Sequence, residues 1–152
     1  MDHAGAPILR TRSPAPAEIE KELVMQLDYT VETAKPFDEA VEAVLERAAA
    51  GNFTVQFVHD VAATLAEKGF PRDRVTIVEM CNARYASAVL ARDVKIGLML
   101  PCPVMIYIEN GRTFISTMKP SLIGRFFPEA DLGEVAAEVE SIICRIIDEA
   151  AA

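Results

Sequence analysis

Two thiols dominate the chemistry open to this chain. Cys81 stands in Met80-Cys81-Asn82-Ala83, where a strand-like run gives way to a helix. Cys102 stands in Leu98-Met99-Leu100-Pro101-Cys102-Pro103, inside an uncharged run broken by prolines. A cysteine just ahead of a helix meets free backbone N–H groups and the partial positive charge of the helix N-terminus, and both stabilise a thiolate. Such a thiol can attack or carry a sulfur species, and a second thiol within reach can resolve the adduct as a disulfide. Two thiolates also suit a soft metal ion. The competing role for both is that of a small buried hydrophobe, the commonest use of a free cysteine. Cys144 lies off the apolar side of the last helical segment, beside Arg145, and reads as a bystander.

His59 is the next candidate, because neutral imidazole is a good ligand for iron and other metals. The apolar segment 96–108, with Leu100 and Met105, and the aromatics Phe57, Tyr85, Tyr107 and Phe114 would wall a haem slot at a dimer interface. A histidine bonded to nearby backbone, with an ordinary core around it, accounts for the same residues. Asn82 has two expected uses, as the cap of the helix after Cys81 and as a polar group for a bound cofactor. Haem and a soft metal ion are thus the cofactors to consider. With His3 and His59 the only histidines, a self-contained Cys/His zinc site is not expected. The sequence has no Cys-x-x-Cys, no glycine-rich phosphate loop and no nucleophile elbow. Asp60, Glu79 and Glu109 show no spacing that marks an acid–base pair.

The elements that must position these residues follow from periodicity. Alternation over Leu23–Val31 predicts a first strand. Phe37, Val41, Val44, Leu45 and Ala48 form a helical stripe between Pro36 and about Ala50, with Asp38 and Glu39 in its first turn and Gly51 ending it. Phe53–Val58 is a second strand. Asp60 caps a short helix, Val61–Lys68, that Gly69 closes. Arg74–Met80 is a third strand. Asn82 caps a helix to about Arg92 that buries Ala86, Val89 and Leu90. Ile96–Ile108 is extended, with Pro101 and Pro103 marking a bulge or sheet edge. Glu109-Asn110-Gly111 turns a hairpin into Arg112–Met118. Asp131 and Glu134 start a final helix, Leu132–Ala150, in the manner of a capping box. The order β-α-β-α-β-α-β-β-α predicts an α+β two-layer sandwich, one mixed sheet with helices against it. In that layout a ten-residue helix runs back roughly 15 Å, and the extended residues 96–101 return roughly 20 Å, bringing Cys102 near the level of Cys81.

Composition sets the outer bounds. At 152 residues and 51% hydrophobic, the chain suits a flexible tail over residues 1–17 and a single α/β domain over 18–152. Three widely spaced cysteines fit reduced thiols rather than a secreted disulfide framework. A net charge of −8 argues against a nucleic-acid partner. The longest uncharged run is too short, and too rich in proline, for a membrane span. Residues 1–7 lack the basic segment and apolar core of a secretory signal, so the cytoplasm is the expected compartment.

Asp60-Val61-Ala62-Ala63-Thr64-Leu65-Ala66-Glu67-Lys68-Gly69, the Cys81-Asn82 turn and Ile96-Gly97-Leu98-Met99-Leu100-Pro101-Cys102 together resemble the domain of unknown function 302 family, from roughly Leu27 to Lys119. The resemblance implies a compact α/β fold, a homodimer tendency and pattern positions for both Cys81 and Cys102. It implies no known activity. Relatives occur among sulfur-metabolising organisms, which brings in a sulfur-metabolism protein as a partner. Three positions depart from the pattern: Ala83 replaces a proline, Pro103 replaces an asparagine, and His59 stands at an apolar position. Three functions follow as expectations. The first is thiol-centred binding or transfer of a sulfur species or soft metal. The second is a non-catalytic haem- or small-ligand-binding homodimer using His59 and segment 96–108. The third is a purely structural homodimer.

Overall fold

The computed structural model describes residues 15–17 and 27–152. Residues 1–14 of the expected tail, and residues 18–26 with the N-terminal half of the expected first strand, therefore lie outside the described residues. Among the described residues five strands form one sheet: β1 (Asp28–Thr33), β2 (Thr54–Asp60), β3 (Val75–Cys81), β4 (Cys102–Glu109) and β5 (Arg112–Met118). The helices between and after them are α1 (Phe37–Ala50), α2 (Val61–Glu67), α3 (Ala83–Arg92), α4 (Ile123–Phe126) and α5 (Gly133–Ala151). Single 3-10 segments occupy Val94–Met99, Pro120–Leu122 and Pro128–Ala130.

The core forms between one face of the sheet and two helices. Helix α1 buries Phe37, Ala40, Val44 and Ala48, and α5 buries Ala136, Val139, Ile143, Ile146, Ile147 and Ala150. They pack with Val78, Met80, Val104, Ile106 and Ile115 from the three central strands. A smaller cluster, Ile96, Ala130, Leu132 and Ala136, lies where the 3-10 segments meet the start of α5. This is the expected α+β sandwich of a sheet with helices against it.

The sheet order is β1-β5-β4-β3-β2, and every pair of neighbours is antiparallel, where a mixed sheet had been expected. The reason is the size and placement of the intervening helices. Seven residues of helix rise only about 10 Å, too little for a crossover between parallel strands, so α2 serves as a corner. Helix α3 packs with the Val94–Met99 segment and α5, and β4 then returns antiparallel to β3.

Local chemistry explains most of the helix ends. Asp60 caps α2 by accepting from the Ala63 N–H at 2.9 Å. At the other end Gly69, with φ +87°, gives its N–H to Ala66, and Phe70 gives its own to Leu65. That is the left-handed helix stop that glycine favours. Helix α1 ends in the same double bond pattern, Asn52 to Ala49 and Phe53 to Ala48, but the left-handed residue is Asn52 (φ 62°) and not Gly51. Asn110 and Gly111, both at positive φ, make the expected β4–β5 hairpin.

Two expectations are corrected. Ile96–Ile108 is not one extended run: Val94–Met99 is a 3-10 segment opened by Asp93, whose carboxylate accepts from Lys95 N–H at 2.8 Å. An uncharged run carries no period of its own, and the buried Ile96 decides the local path by packing against Ala130 and Leu132. Asp131 does not cap α5. It takes a left-handed conformation (φ 51°) after Pro128–Ala130, and α5 begins after Leu132 with no side-chain cap.

Candidate functional site

Cys81 and Cys102 lie on neighbouring strands at one end of the sheet. Strand β3 finishes at Cys81, and β4 begins at Cys102, whose cross-strand partner is Met80. Cys81 itself pairs with Thr54 at the start of β2. The expected juxtaposition is present, reached by an antiparallel return and not by the back-and-forth path read from the sequence. Pro101 and Pro103 mark neither a bulge nor an edge. Strand β4 is interior, and its register runs unbroken through Pro103. A proline is tolerated there because it lies at the beginning of the strand. The Pro103 carbonyl accepts from Thr117 Oγ1 at 2.8 Å.

Asn82 secures the junction. Its Oδ1 accepts from the N–H groups of Arg84 (3.0 Å) and Tyr85 (3.4 Å), and its Nδ2 donates to the Asn52 carbonyl at 3.1 Å. One side chain thus joins the end of α1, the end of β3 and the start of α3. The same bonds occupy first-turn N–H groups that the sequence reading had left free for Cys81. Cys81 keeps its place beside the helix N-terminus, while Asn82 takes those donors.

Above this junction lies a cavity of about 40 Å³. Its floor is Phe53, Cys81, Asn82 and Cys102, one wall is Tyr85, Ala86 and Val89 of α3, and the opposite wall is Val135, Ala136 and Val139 of α5. Leu100, Pro120, Ile123 and Leu132 complete it. The lining is almost wholly apolar. A single water needs roughly 10–15 Å³ of such space, so the cavity holds a few atoms at most. Burial pushes the Cys102 thiol up to about 11, and negative charge on nearby Cys81 acts in the same direction. Cys102 is therefore a neutral thiol at physiological pH.

The remaining candidates divide between places. Asn82 and Leu100 line the cavity. His59 pairs with Ile77, and Ile77 with Met105, a row on the sheet face away from α1 and α5. Ile77 is four residues from Cys81, roughly 13 Å along the strand. His59 Nε2 shares a 3.3 Å hydrogen bond with Thr64 Oγ1, and its ring lies 6.0 Å from that of Phe57. His59 and Met105 therefore do not join the thiols, and no one site uses all the candidates. The cavity is roughly a tenth of the size that drug-sized ligands occupy, so haem does not fit it. Among the described residues no cluster of three or more His, Cys, Asp or Glu side chains could hold a metal ion. Cys144, half-buried on α5, lines no part of the cavity, and burial followed by Glu140 and Asp148 raises its thiol.

Helix α3 was expected to bury Ala86, Val89 and Leu90. Ala86 and Val89 are half-buried because they face the cavity, and Leu90 is 37% exposed. The sequence reading missed Glu138, whose Oε1 accepts from Tyr85 Oη at 2.6 Å across the two walls. The partners are 53 residues apart, and no local pattern joins them.

Comparison with known proteins comes to the same family as the motifs. A family model described as "Domain of unknown function DUF302" matches residues 29–150, reaching past Lys119 to the last turn of α5. The crystal structure of an uncharacterised conserved DUF302 protein from Bacillus stearothermophilus superposes with a TM-score of 0.78 at 30% identity. The alignment covers 82% of this chain and 98% of that one. No curated protein matches the chain. Among the described residues no helix is long and apolar enough to cross a membrane.

Proposed function

This chain belongs to the DUF302 family, and on that premise we propose that it holds and passes on a single sulfane sulfur at the Cys81–Cys102 cavity. One observation carries the reading: Cys81 and Cys102 both line one small, almost wholly apolar cavity. Its volume of about 40 Å³ suits an added sulfur atom and little more. Cys81, beside the helix N-terminus, is the carrier. Its thiolate attacks the outer sulfur of a persulfide, R–S–SH, the S–S bond breaks, and R–S⁻ leaves with the electron pair. An acceptor thiolate then takes that outer sulfur together with its hydrogen and returns Cys81 to the thiolate. The exchange is balanced and needs no outside oxidant or reductant.

Cys102 has a different part from the resolving role read from the sequence. With its proton held up to about 11, only about one molecule in 10⁴ is a thiolate at pH 7. It is a poor attacker and an available S–H donor. A protonated Cys102 preserves the Cys81 persulfide, because disulfide closure would expel hydrosulfide and lose the cargo.

Mass spectrometry of the intact protein tests this after incubation with glutathione persulfide without oxygen. The expected result is one added sulfur on the wild type and on Cys102→Ser, and none on Cys81→Ala. An adduct surviving in Cys81→Ala overturns the assignment. A Cu(I) adduct that needs both cysteines, with no sulfur taken up, would replace it with the soft-metal reading.

A further inference from the structure

We infer that α3 is a hinged wall of the cavity and that the Tyr85–Glu138 pair is the latch deciding which molecules reach Cys102. The other boundaries are fixed by packing: Met80 beside Cys102 is completely buried, and α5 buries six residues. Helix α3 buries none. Only Tyr85 and Val89 pack against the two apolar clusters, and side-chain hydrogen bonds supply much of the remaining hold. Asn82 fastens its start, and Arg92 Nη1 fastens its end by donating to the carbonyls of Ala130 (3.1 Å) and Asp131 (3.2 Å). Between them Tyr85 Oη reaches Glu138 on α5 at 2.6 Å. Tyr85 also lines the cavity, so the ring fixed by this bond is itself part of the wall. An element with little buried apolar surface and few tethers is one that opens locally while the rest of the fold stays closed. This inference concerns access to the cavity and is independent of what its thiols carry.

The test is the rate at which Cys102 is modified in the full chain, read by peptide mass spectrometry at one fixed pH. A bulky aromatic disulfide and the small methyl methanethiosulfonate are compared. The Tyr85–Glu138 bond is exposed, and removing one such hydrogen bond shifts an opening equilibrium by about twofold to tenfold. Tyr85→Phe is expected to speed bulky-reagent modification of Cys102 by that factor, with a smaller effect for the small reagent. Glu138→Ala should act like Tyr85→Phe, while Cys144 and the amide exchange of β3 and β4 stay unchanged. Unchanged Cys102 rates in both variants overturn the latch. So does a parallel rise at Cys102, Cys144 and the strand amides, which would report general loosening. The Glu138 variant keeps the test open should the Tyr85 variant fail to fold.

Discussion

At the residue scale, surroundings separate two cysteines that the sequence presents as equals. Cys102 is enclosed at the base of β4, and burial raises its thiol from 9.0 to about 11. The unfolded chain loses this proton near pH 9, and the folded chain holds it to about pH 11. Stability from the neutral buried thiol is therefore fully present below pH 9 and is lost as pH rises from 9 to 11. The loss is at most about 3 kcal/mol, because part of the side chain remains exposed. Chemical denaturation of the wild type and Cys102→Ala should show the wild type's relative stability falling across that window. A difference that stays constant from pH 8 to 11 would show that Cys102 ionises normally. Tyr29 Oη, bonded to Asp148 at 2.6 Å, is raised to about 12 and shares the same direction, so the comparison must be between variants.

At the element scale, the caps decide where the site's pieces stop. Asn82 ends β3, starts α3 and ties both to the turn after α1. Replacing it with alanine removes an acceptor shared by two N–H groups and a donor to Asn52. The expected cost is about 1–2 kcal/mol in denaturant unfolding, with faster exchange of the Arg84 and Tyr85 amides. Asn82→Asp keeps the acceptor and should recover most of that cost. Equal losses in the two variants would place the energy in the Asn52 bond. Asn82, Asp60 and Gly69 were all readable, because a cap is a bond between residues two to five apart. Asn52 was not, since Gly51 beside it offers the more usual stop, and only the return of Phe53 into the core selects the left-handed residue.

At the scale of the whole molecule, stability belongs to the sheet with α1 and α5, while the thiol cavity sits at that body's edge. Ile147 is completely buried in the main cluster, and Leu98, in the 3-10 segment, is 86% exposed. Ile147→Ala should cost about 2–5 kcal/mol, through lost burial and the cavity left behind. Leu98→Ala should stay within about 0.5 kcal/mol. Urea midpoints for the two variants check both values, and comparable losses would mean that the 3-10 segment belongs to the cooperative core. The arrangement gives the site rigid thiols on strand ends and one loosely held wall.

The sequence by itself determined the family, the order of the strands and of the longer helices, the hairpin and the two cysteines as the residues to watch. The short helix Ile123–Phe126 and the 3-10 segments went unread. Each feature that was read is written in short-range pattern: period, cap, turn or motif. Tertiary structure alone decided that the sheet is antiparallel throughout, because strand direction depends on where α2 and α3 pack. It alone turned Val94–Met99 into a 3-10 segment around buried Ile96, sent His59 to the far face and joined Tyr85 to Glu138. It also gave Cys81 and Cys102 one cavity. Their nearness rests on the pairing of Met80 with Cys102, a contact between strands that no local pattern specifies.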